Sequence, residues 1–135
     1  MANVILDFDA TNNILRATIR DRITEAILFG FYAAAIEYLA IHPPCSGILD
    51  LSLVTEFEVS SAAIKRVATT PLPPTSGESR WILVAQKDVI YGLARMFQIL
   101  TETKKNHFEV QVVRTIEAAY RLLQVNDPEF RPVRL

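Results

Sequence analysis

The residues of this chain that are able to do chemistry are few and lie far apart in the sequence. The two histidines are His42, in the segment HPPC, and His107, and the single cysteine is Cys45. His42 follows a predicted helix, whose dipole favours a cation at this end, so we interpret it as a helix cap. One His and one Cys without a second pair of ligands do not form a zinc site. We therefore predict no metal site and no cofactor.

The motifs of the large enzyme and nucleotide-binding families are also absent from the sequence. It contains no G-x-G-x-x-G, no Walker A motif and no G-x-S-x-G, and only 4 of its 135 residues are glycine. Asp50, Glu56 and Glu58 supply in principle the two carboxylates of an acid pair, but solubility and capping explain their spacing more simply. We expect no catalytic residues and no enzyme. An enzyme with a site at the strand ends is the least favoured alternative.

The carboxyl ends of the predicted strands carry a polar rim. In open α/β sheets, ligands bind beyond the carboxyl ends of the strands. Here the rim consists of the loop TEFEVSS together with Ser52, Lys87, Asp88 and Arg114. Because backbone N–H groups at helix starts hold anions, we predict a candidate anion site at this rim.

Composition narrows the class of protein further. The net charge is −1, and the pairs Lys65–Arg66 and Lys104–Lys105 are interpreted as solvated helix positions, so we expect no nucleic-acid partner. The N-terminus MANVILDFDA lacks the basic region of a signal peptide. No apolar stretch reaches the about 20 residues of a transmembrane segment. A lone cysteine is typical of a reducing compartment, so we expect a cytoplasmic protein.

The pattern of apolar residues predicts five strands and four helices in the order β-β-α-β-α-β-α-β-α. Val4–Asp9 and Ile14–Ile19 form a hairpin around ATNN, because Asn tolerates positive φ. Strands that alternate with helices imply a mostly parallel mixed sheet. The predicted fold class is therefore α/β, as a single domain over residues 1–135 in which residues 125–135 form a C-terminal tail.

The first helix, predicted to run from Glu25 to about His42, is apolar on all sides. One apolar face is enough to cover a sheet, so the opposite face needs a partner of its own. This predicted outer face is formed by Leu28, Phe29, Tyr32, Ile36 and Leu39. Exposed apolar patches mark interaction sites, so we predict that a second copy of the chain covers it in a homodimer. An apolar ligand, the proline-rich loop TTPLPPTSGES and the C-terminal tail are the alternatives.

Three segments, in order, resemble the bacterial SpoIIAA-like domains of the STAS and STAS/SEC14 type. DLSLVTEFEVSSAAI is similar to the segment in which a strand ending in D-L-S leads to D-S-S-G at a helix start. WILVAQKDVIYGLARMFQIL and TIEAAYRLL resemble later elements of these domains. The resemblance implies the SpoIIAA-like (STAS) fold, which is shared with the CRAL-TRIO lipid-binding proteins, and often a homodimer.

The resemblance also implies a function. Anti-sigma-factor antagonists are switched by phosphorylation of the first serine in D-S-S-G, which Ser60 matches here, followed by Ser61. Val59 and Ala62 replace the Asp and Gly of that motif, and a helix cap is the simpler role for the serines. We expect a non-enzymatic regulatory or interaction module with a kinase or anti-sigma-like partner. The alternative is a carrier or sensor of a hydrophobic, lipid-like small ligand.

Overall fold

The computed structural model describes residues 3–41, 46–71, 79–103 and 109–133. Within these ranges the chain forms one mixed sheet of six strands and four helices. The strands are β1 (Val4–Asp9), β2 (Ile14–Thr24), β3 (Ser46–Glu58), β4 (Arg80–Val84), β5 (Glu109–Val113) and β6 (Arg131–Pro132). The helices are α1 (Glu25–Ile41), α2 (Ser61–Ala68), α3 (Asp88–Thr101) and α4 (Ile116–Leu122).

The predicted α/β class and the N-terminal hairpin are confirmed, whereas the number of strands is wrong. The spatial order is β5-β4-β3-β2-β1-β6, with β2 to β5 parallel and β1 antiparallel to β2. Asn13 in the hairpin turn has a φ of 57°. The unpredicted β6 pairs with β1 at the edge, where Val133 N donates to the Leu6 carbonyl at 2.9 Å. A strand of two residues has no apolar alternation, and proline is tolerated only at such an edge.

The strands β2 and β3 extend well beyond their predicted ends. Their last residues are Thr24 and Glu58, so the segment TEFE is strand and not loop. Register shifts interrupt the pairing of the two strands, and Asp21 has a φ of 63°. At the tip of the extension Arg22 and Glu58 form an ion pair of 2.5 Å. Because this extension is largely exposed, its residues are mostly polar and lack the apolar alternation that predicts a strand. The helices α1 and α2 begin side by side where the extension ends.

The sheet has two unequal faces. The three-helix face, covered by α1, α2 and α3, carries the larger apolar cluster, with Leu15, Ile19, Leu49 and Leu83 from the strands. The α4 face carries a smaller cluster that includes Ile14, Ile48, Ile82 and Val84, with Ala119 from α4 and Val125 from the C-terminal segment. The predicted C-terminal tail therefore takes part in the core of the α4 face.

Several predictions concern residues outside the described ranges. These are the interpretations of His42, Cys45 and the Lys104–Lys105 pair, and most of the proline-rich loop. The predicted start of α1 is confirmed, because Thr24 Oγ1 accepts a hydrogen bond of 3.3 Å from Ile27 N. Among the described residues, no helix combines the length and apolar character that a membrane crossing requires.

Candidate functional site

The three-helix face encloses an apolar cavity of about 70 Å³. Side chains of β2, β3 and β4 and of all three helices form its walls, including Phe31, Leu49, Ile64 and Phe97. Of the described residues that line it, only Tyr32 and Trp81 carry a polar side-chain atom. Protein interiors contain few voids larger than a water molecule, so this cavity is the first candidate for a ligand site.

A glycine in β3 positions one wall of the cavity. Gly47 and Trp81 are register partners in neighbouring parallel strands. A Cβ atom at position 47 would overlap the indole of Trp81, so only glycine lets the ring lie against β3. Phe31 of α1 then meets the indole edge-on, with 6.1 Å between ring centres. The cavity wall thus depends on the missing side chain at Gly47.

Tyr32 brings a buried hydroxyl into this apolar setting. The residue is 9% exposed, and its hydroxyl has no hydrogen-bond partner among the described residues. Its ring stands edge-on to Phe97, with centres 6.3 Å apart. Burial raises the pKa of Tyr32 to about 12, so the hydroxyl keeps its proton and remains a donor. A buried polar group without a partner costs about 1–3 kcal/mol, and a ligand that supplies a polar atom relieves that cost.

A surface groove of about 350 Å³ adjoins the cavity between α1 and α2. Tyr32, Ile36 and Val67 line both spaces and therefore separate the groove from the cavity. Arg66 lies in the groove with its guanidinium carbon 4.7 Å from the ring centre of Phe29. Among the residues that the structure describes, no carboxylate forms an ion pair with Arg66. The groove therefore combines an apolar floor with one uncompensated cation.

The predicted outer face of α1 is only partly an outer face. Leu28 and Tyr32 are 8% and 9% exposed and belong to the core, so their placement on an open surface is wrong. These side chains face the core that the sheet shares with α2 and α3, and the ring of Tyr32 packs edge-on against Phe97 of α3. Phe29 and Ile36 are partly buried and line the groove, and the side chain of Leu39 lies outside the described residues.

Ser60 and Ser61 lie at the exposed start of α2. Ser60 is the N-cap, and its Oγ accepts a hydrogen bond of 3.2 Å from Ala63 N. The backbone N–H of Ser60 donates to Glu25 Oε2 at 3.2 Å. Glu25 is the first residue of α1, so a carboxylate joins the starts of the two helices that border the groove.

The structure brings two residues of the predicted polar rim together. Arg114 Nη1 lies 2.7 Å from Asp88 Oδ1 and donates to the Gln86 carbonyl at 3.1 Å. The same guanidinium stands over the ring of Tyr91 at 3.9 Å. Asp88 opens α3, where a carboxylate complements the helix dipole. Since Arg114 is already paired and Asp88 already supplies a negative charge, this part of the rim is a poor anion site.

Lys87 and Ser52 stand apart from that pair. Lys87 Nζ donates to the Val54 carbonyl at 3.2 Å, and Ser52 Oγ donates to Asp50 Oδ1 at 2.6 Å. No hydrogen bond or ion pair within the described ranges joins these two residues to each other or to Arg114. The residues described likewise contain no group of three or more His, Cys, Asp or Glu able to hold a metal ion. The predicted rim is therefore a set of separate contacts.

The α4 face holds a polar network that sequence reasoning missed. Arg16 donates to both carboxylate oxygens of Asp7, at 3.0 and 2.7 Å, and to the hydroxyl of Tyr120 at 2.9 Å. Its guanidinium also stacks 3.8 Å from the ring centre of Phe130. Asp7 and Arg16 are register partners in the hairpin. The register of the predicted hairpin could therefore have indicated that these two side chains are neighbours. The network ties α4 and the C-terminal segment to the sheet.

Compared with protein-family models and with curated proteins, the chain matches none of them. The cavity and the groove are the features of the described residues that point to a function. Sequence reasoning interpreted Arg66 as a solvated helix position and assigned it to no site, since a basic residue that lines a groove has no sequence pattern that separates it from a solvated one. Tyr32 did carry a signal, because a hydroxyl on a helix that is apolar all round is buried with that helix.

Proposed function

We propose that this chain is a non-enzymatic binding module that holds a small, largely apolar molecule in the cavity beneath α1. The observation that carries the proposal is the buried Tyr32 hydroxyl, which has no partner among the described residues and belongs to an otherwise hydrocarbon-lined space. Ligand sites are concave and mostly apolar, with a few polar groups that orient the ligand. A molecule with a hydrocarbon body and one polar atom matches both features.

The volume of the cavity limits what it holds without rearrangement. An engineered apolar cavity of about 150 Å³ admits benzene, whereas this cavity measures about 70 Å³. A short or branched alkyl group therefore fits the closed form. A longer chain requires Tyr32, Ile36 or Val67 to move, since these side chains separate the cavity from the groove.

Matched ligand pairs test the proposal. The affinities of an alcohol and of a hydrocarbon with the same carbon skeleton are measured by calorimetry and by the shift in melting temperature. Because one hydrogen bond contributes about 1 kcal/mol, the alcohol is expected to bind about fivefold more tightly. The variant Tyr32→Phe removes the hydroxyl but keeps the ring, so it is expected to erase this preference.

Tyr91→Phe is the matched control for this experiment. The ring of Tyr91 lies under Arg114, and Tyr91 is not among the residues that line the cavity. The control is expected to keep the preference for the alcohol. Failure of both ligands to bind the unmodified protein contradicts the proposed function, as does an alcohol preference that survives Tyr32→Phe.

A second candidate function is a regulatory switch at Ser60, favoured by the contact between its backbone N–H and Glu25. Phosphorylation adds a charge of about −2, and Glu25 Oε2 lies 3.2 Å from Ser60 N. Repulsion between the two anions would separate the starts of α1 and α2 and expose a surface for a protein partner. Such a module would match the regulatory role that the resemblance to anti-sigma-factor antagonists implies.

Hydrogen exchange tests the switch. Protein carrying phosphoserine at position 60 is compared with Ser60→Ala, which loses only the cap, and with phosphoserine at position 61. Phosphorylated Ser60 is expected to speed exchange in the first turn of α2 more than Ser60→Ala does, and Glu25→Gln is expected to reduce the difference. Equal exchange in the phosphorylated protein and in Ser60→Ala would leave Ser60 with the capping role alone.

A further inference from the structure

We infer that the ligand of this module is an amphipathic monocarboxylate, bound with its carboxylate on Arg66 in the groove and its hydrocarbon tail in the cavity. The inference rests on the proposed function. It adds the chemical class of the ligand and its orientation, with the head group in the groove and the tail in the cavity. It joins three observations: a surface cation without a carboxylate partner among the described residues, an apolar space behind it, and a shared wall between the two.

Arg66 supplies the charge complementarity. It is exposed on α2, lines the groove, and has no carboxylate partner among the described residues. The contact with the ring of Phe29 at 4.7 Å holds the guanidinium over the groove. A single guanidinium pairs with a carboxylate through two parallel hydrogen bonds, whereas phosphate-binding sites gather several arginines. One arginine in the groove therefore favours a carboxylate.

The shared wall sets the path of the tail. Tyr32, Ile36 and Val67 line both spaces, so a chain that starts at Arg66 in the groove reaches the cavity by passing between them. Tyr32 is the polar member of this wall. Because Tyr32 lines both spaces, it brings a buried hydroxyl to the wall that the ligand passes. The buried hydroxyl and the free cation thus serve the same ligand.

Three ligands with one tail separate the contributions of head and tail. Octanoate, octanol and octylamine are titrated by calorimetry into the unmodified protein, into Arg66→Gln and into Lys65→Gln. Lys65 is the neighbouring exposed cation on α2 and is not among the groove residues, which makes it the matched control. Octanoate is expected to bind about tenfold more tightly than octanol, because its carboxylate forms charge-assisted hydrogen bonds with Arg66 and the groove is partly exposed to solvent.

Octylamine is expected to bind most weakly, because its ammonium meets Arg66. Arg66→Gln is expected to abolish the preference for octanoate over octanol, while Lys65→Gln is expected to retain it. Added salt is expected to weaken octanoate alone.

Octanol binding without any preference for octanoate would overturn the monocarboxylate inference and leave the proposed function standing. An octanoate preference that survives Arg66→Gln would also overturn it. Absence of binding by all three ligands would also overturn the inference, and the proposed function would then stand or fall with the binding of a short-chain alcohol that fits the cavity of about 70 Å³.

Discussion

The two faces of the sheet differ in whether their buried polar side chains are hydrogen-bonded. On the α4 face, Arg16 is bonded to both oxygens of Asp7 and to Tyr120, and Phe130 covers its guanidinium. On the three-helix face, the hydroxyl of Tyr32 is buried without a partner among the described residues, beside a cavity. The polar network of the α4 face is thus hydrogen-bonded, whereas the three-helix face contains a hydroxyl without a hydrogen-bond partner among the described residues and an apolar cavity.

This difference separates what stabilises the fold from what is available to a ligand. A folded domain is stable by only about 5–15 kcal/mol, so a void and an unsatisfied hydroxyl are a substantial part of that margin. The α4 face has no such deficit in its network, and its contacts join the hairpin, α4 and the C-terminal segment. The polar network of the α4 face therefore contributes to stability, whereas the cavity and the Tyr32 hydroxyl of the three-helix face are the features on which the proposed binding function rests.

The largest expected effect comes from the glycine that shapes the cavity wall. Gly47→Ala is expected to lower the free energy of unfolding by about 3 kcal/mol, because the new Cβ overlaps the indole of Trp81 and overpacked cores are destabilised. Gly92→Ala is the control on α3, where an added Cβ meets nothing within 4 Å. It is expected to raise stability by about 0.5–1 kcal/mol. Urea unfolding measures both, and equal effects would show that position 47 is not tightly packed.

The next effect tests the network on the α4 face. Asp7→Asn removes the carboxylate that pairs with Arg16, and the side chains are 12% and 25% exposed. We expect a loss of about 2 kcal/mol, because a charged hydrogen-bonded partner is left uncompensated. Glu58→Gln breaks the exposed pair with Arg22 and is expected to change stability by about 0.5 kcal/mol or less. A smaller effect for Asp7→Asn than for Glu58→Gln would refute the structural role of the network.

Removal of one hydroxyl from each face compares the faces directly. Tyr120→Phe is expected to lower stability by about 1.5 kcal/mol, because Arg16 loses an acceptor at 2.9 Å. Tyr32→Phe is expected to raise the stability of the unliganded protein by about 1 kcal/mol, because it removes a buried hydroxyl that has no partner in the described part of the chain. Both substitutions keep the aromatic ring. Effects of the same sign in denaturant unfolding would remove the contrast between the two faces.

The smallest effect concerns acid pH at the hairpin turn on the α4 face. Burial raises the pKa of Asp9, but hydrogen bonds from Asn12 and from the backbone outweigh it, and the pKa lies below its usual value. A carboxylate with a lowered folded-state pKa stabilises the fold above the unfolded-state pKa of about 3.9, and this stability is lost as the pH falls.

Unfolding measured between neutral pH and pH of about 2 tests this contribution of Asp9. Asp9→Asn is expected to be about 1 kcal/mol less stable at neutral pH and to lose less stability on acidification. Asn12→Ala, which removes the side-chain donor at 2.7 Å, is expected to shift the profile in the same direction. An unchanged acid dependence in both variants would show that the turn contributes nothing to it.

Much of the fold was predictable because it depends on patterns within short segments. The apolar runs marked the sheet strands, and the first helix was predicted to begin at Glu25, where α1 begins. The errors arose where a short segment carries no pattern. The edge strand β6 has two residues, and the tip of the β2–β3 extension is too polar and exposed to alternate.

Of the candidate site, the sequence predicted some of the contributing residues but not their arrangement. The sequence alone identified Tyr32 and Ile36 as residues of an apolar helix that need a packing partner. It placed Tyr32 on an outer face, whereas the side chain is buried in the core. Whether a residue of an all-apolar helix meets solvent, a neighbouring helix or a cavity depends on where α2 packs, and that contact is not encoded by the periodicity of α1. Arg66 became a site residue only when α2 placed it over Phe29.

The sequence by itself determined the α/β class, the hairpin, the four helices and the excess of apolar surface on α1, because each follows from local periodicity and turn chemistry. The tertiary structure alone decided that Gly47 faces an indole, that Asp7 and Arg16 meet, and that a groove and a cavity share the wall formed by Tyr32, Ile36 and Val67. These are relations between segments distant in the chain. No local rule contains them, since the packing of whole elements sets the distances between their side chains.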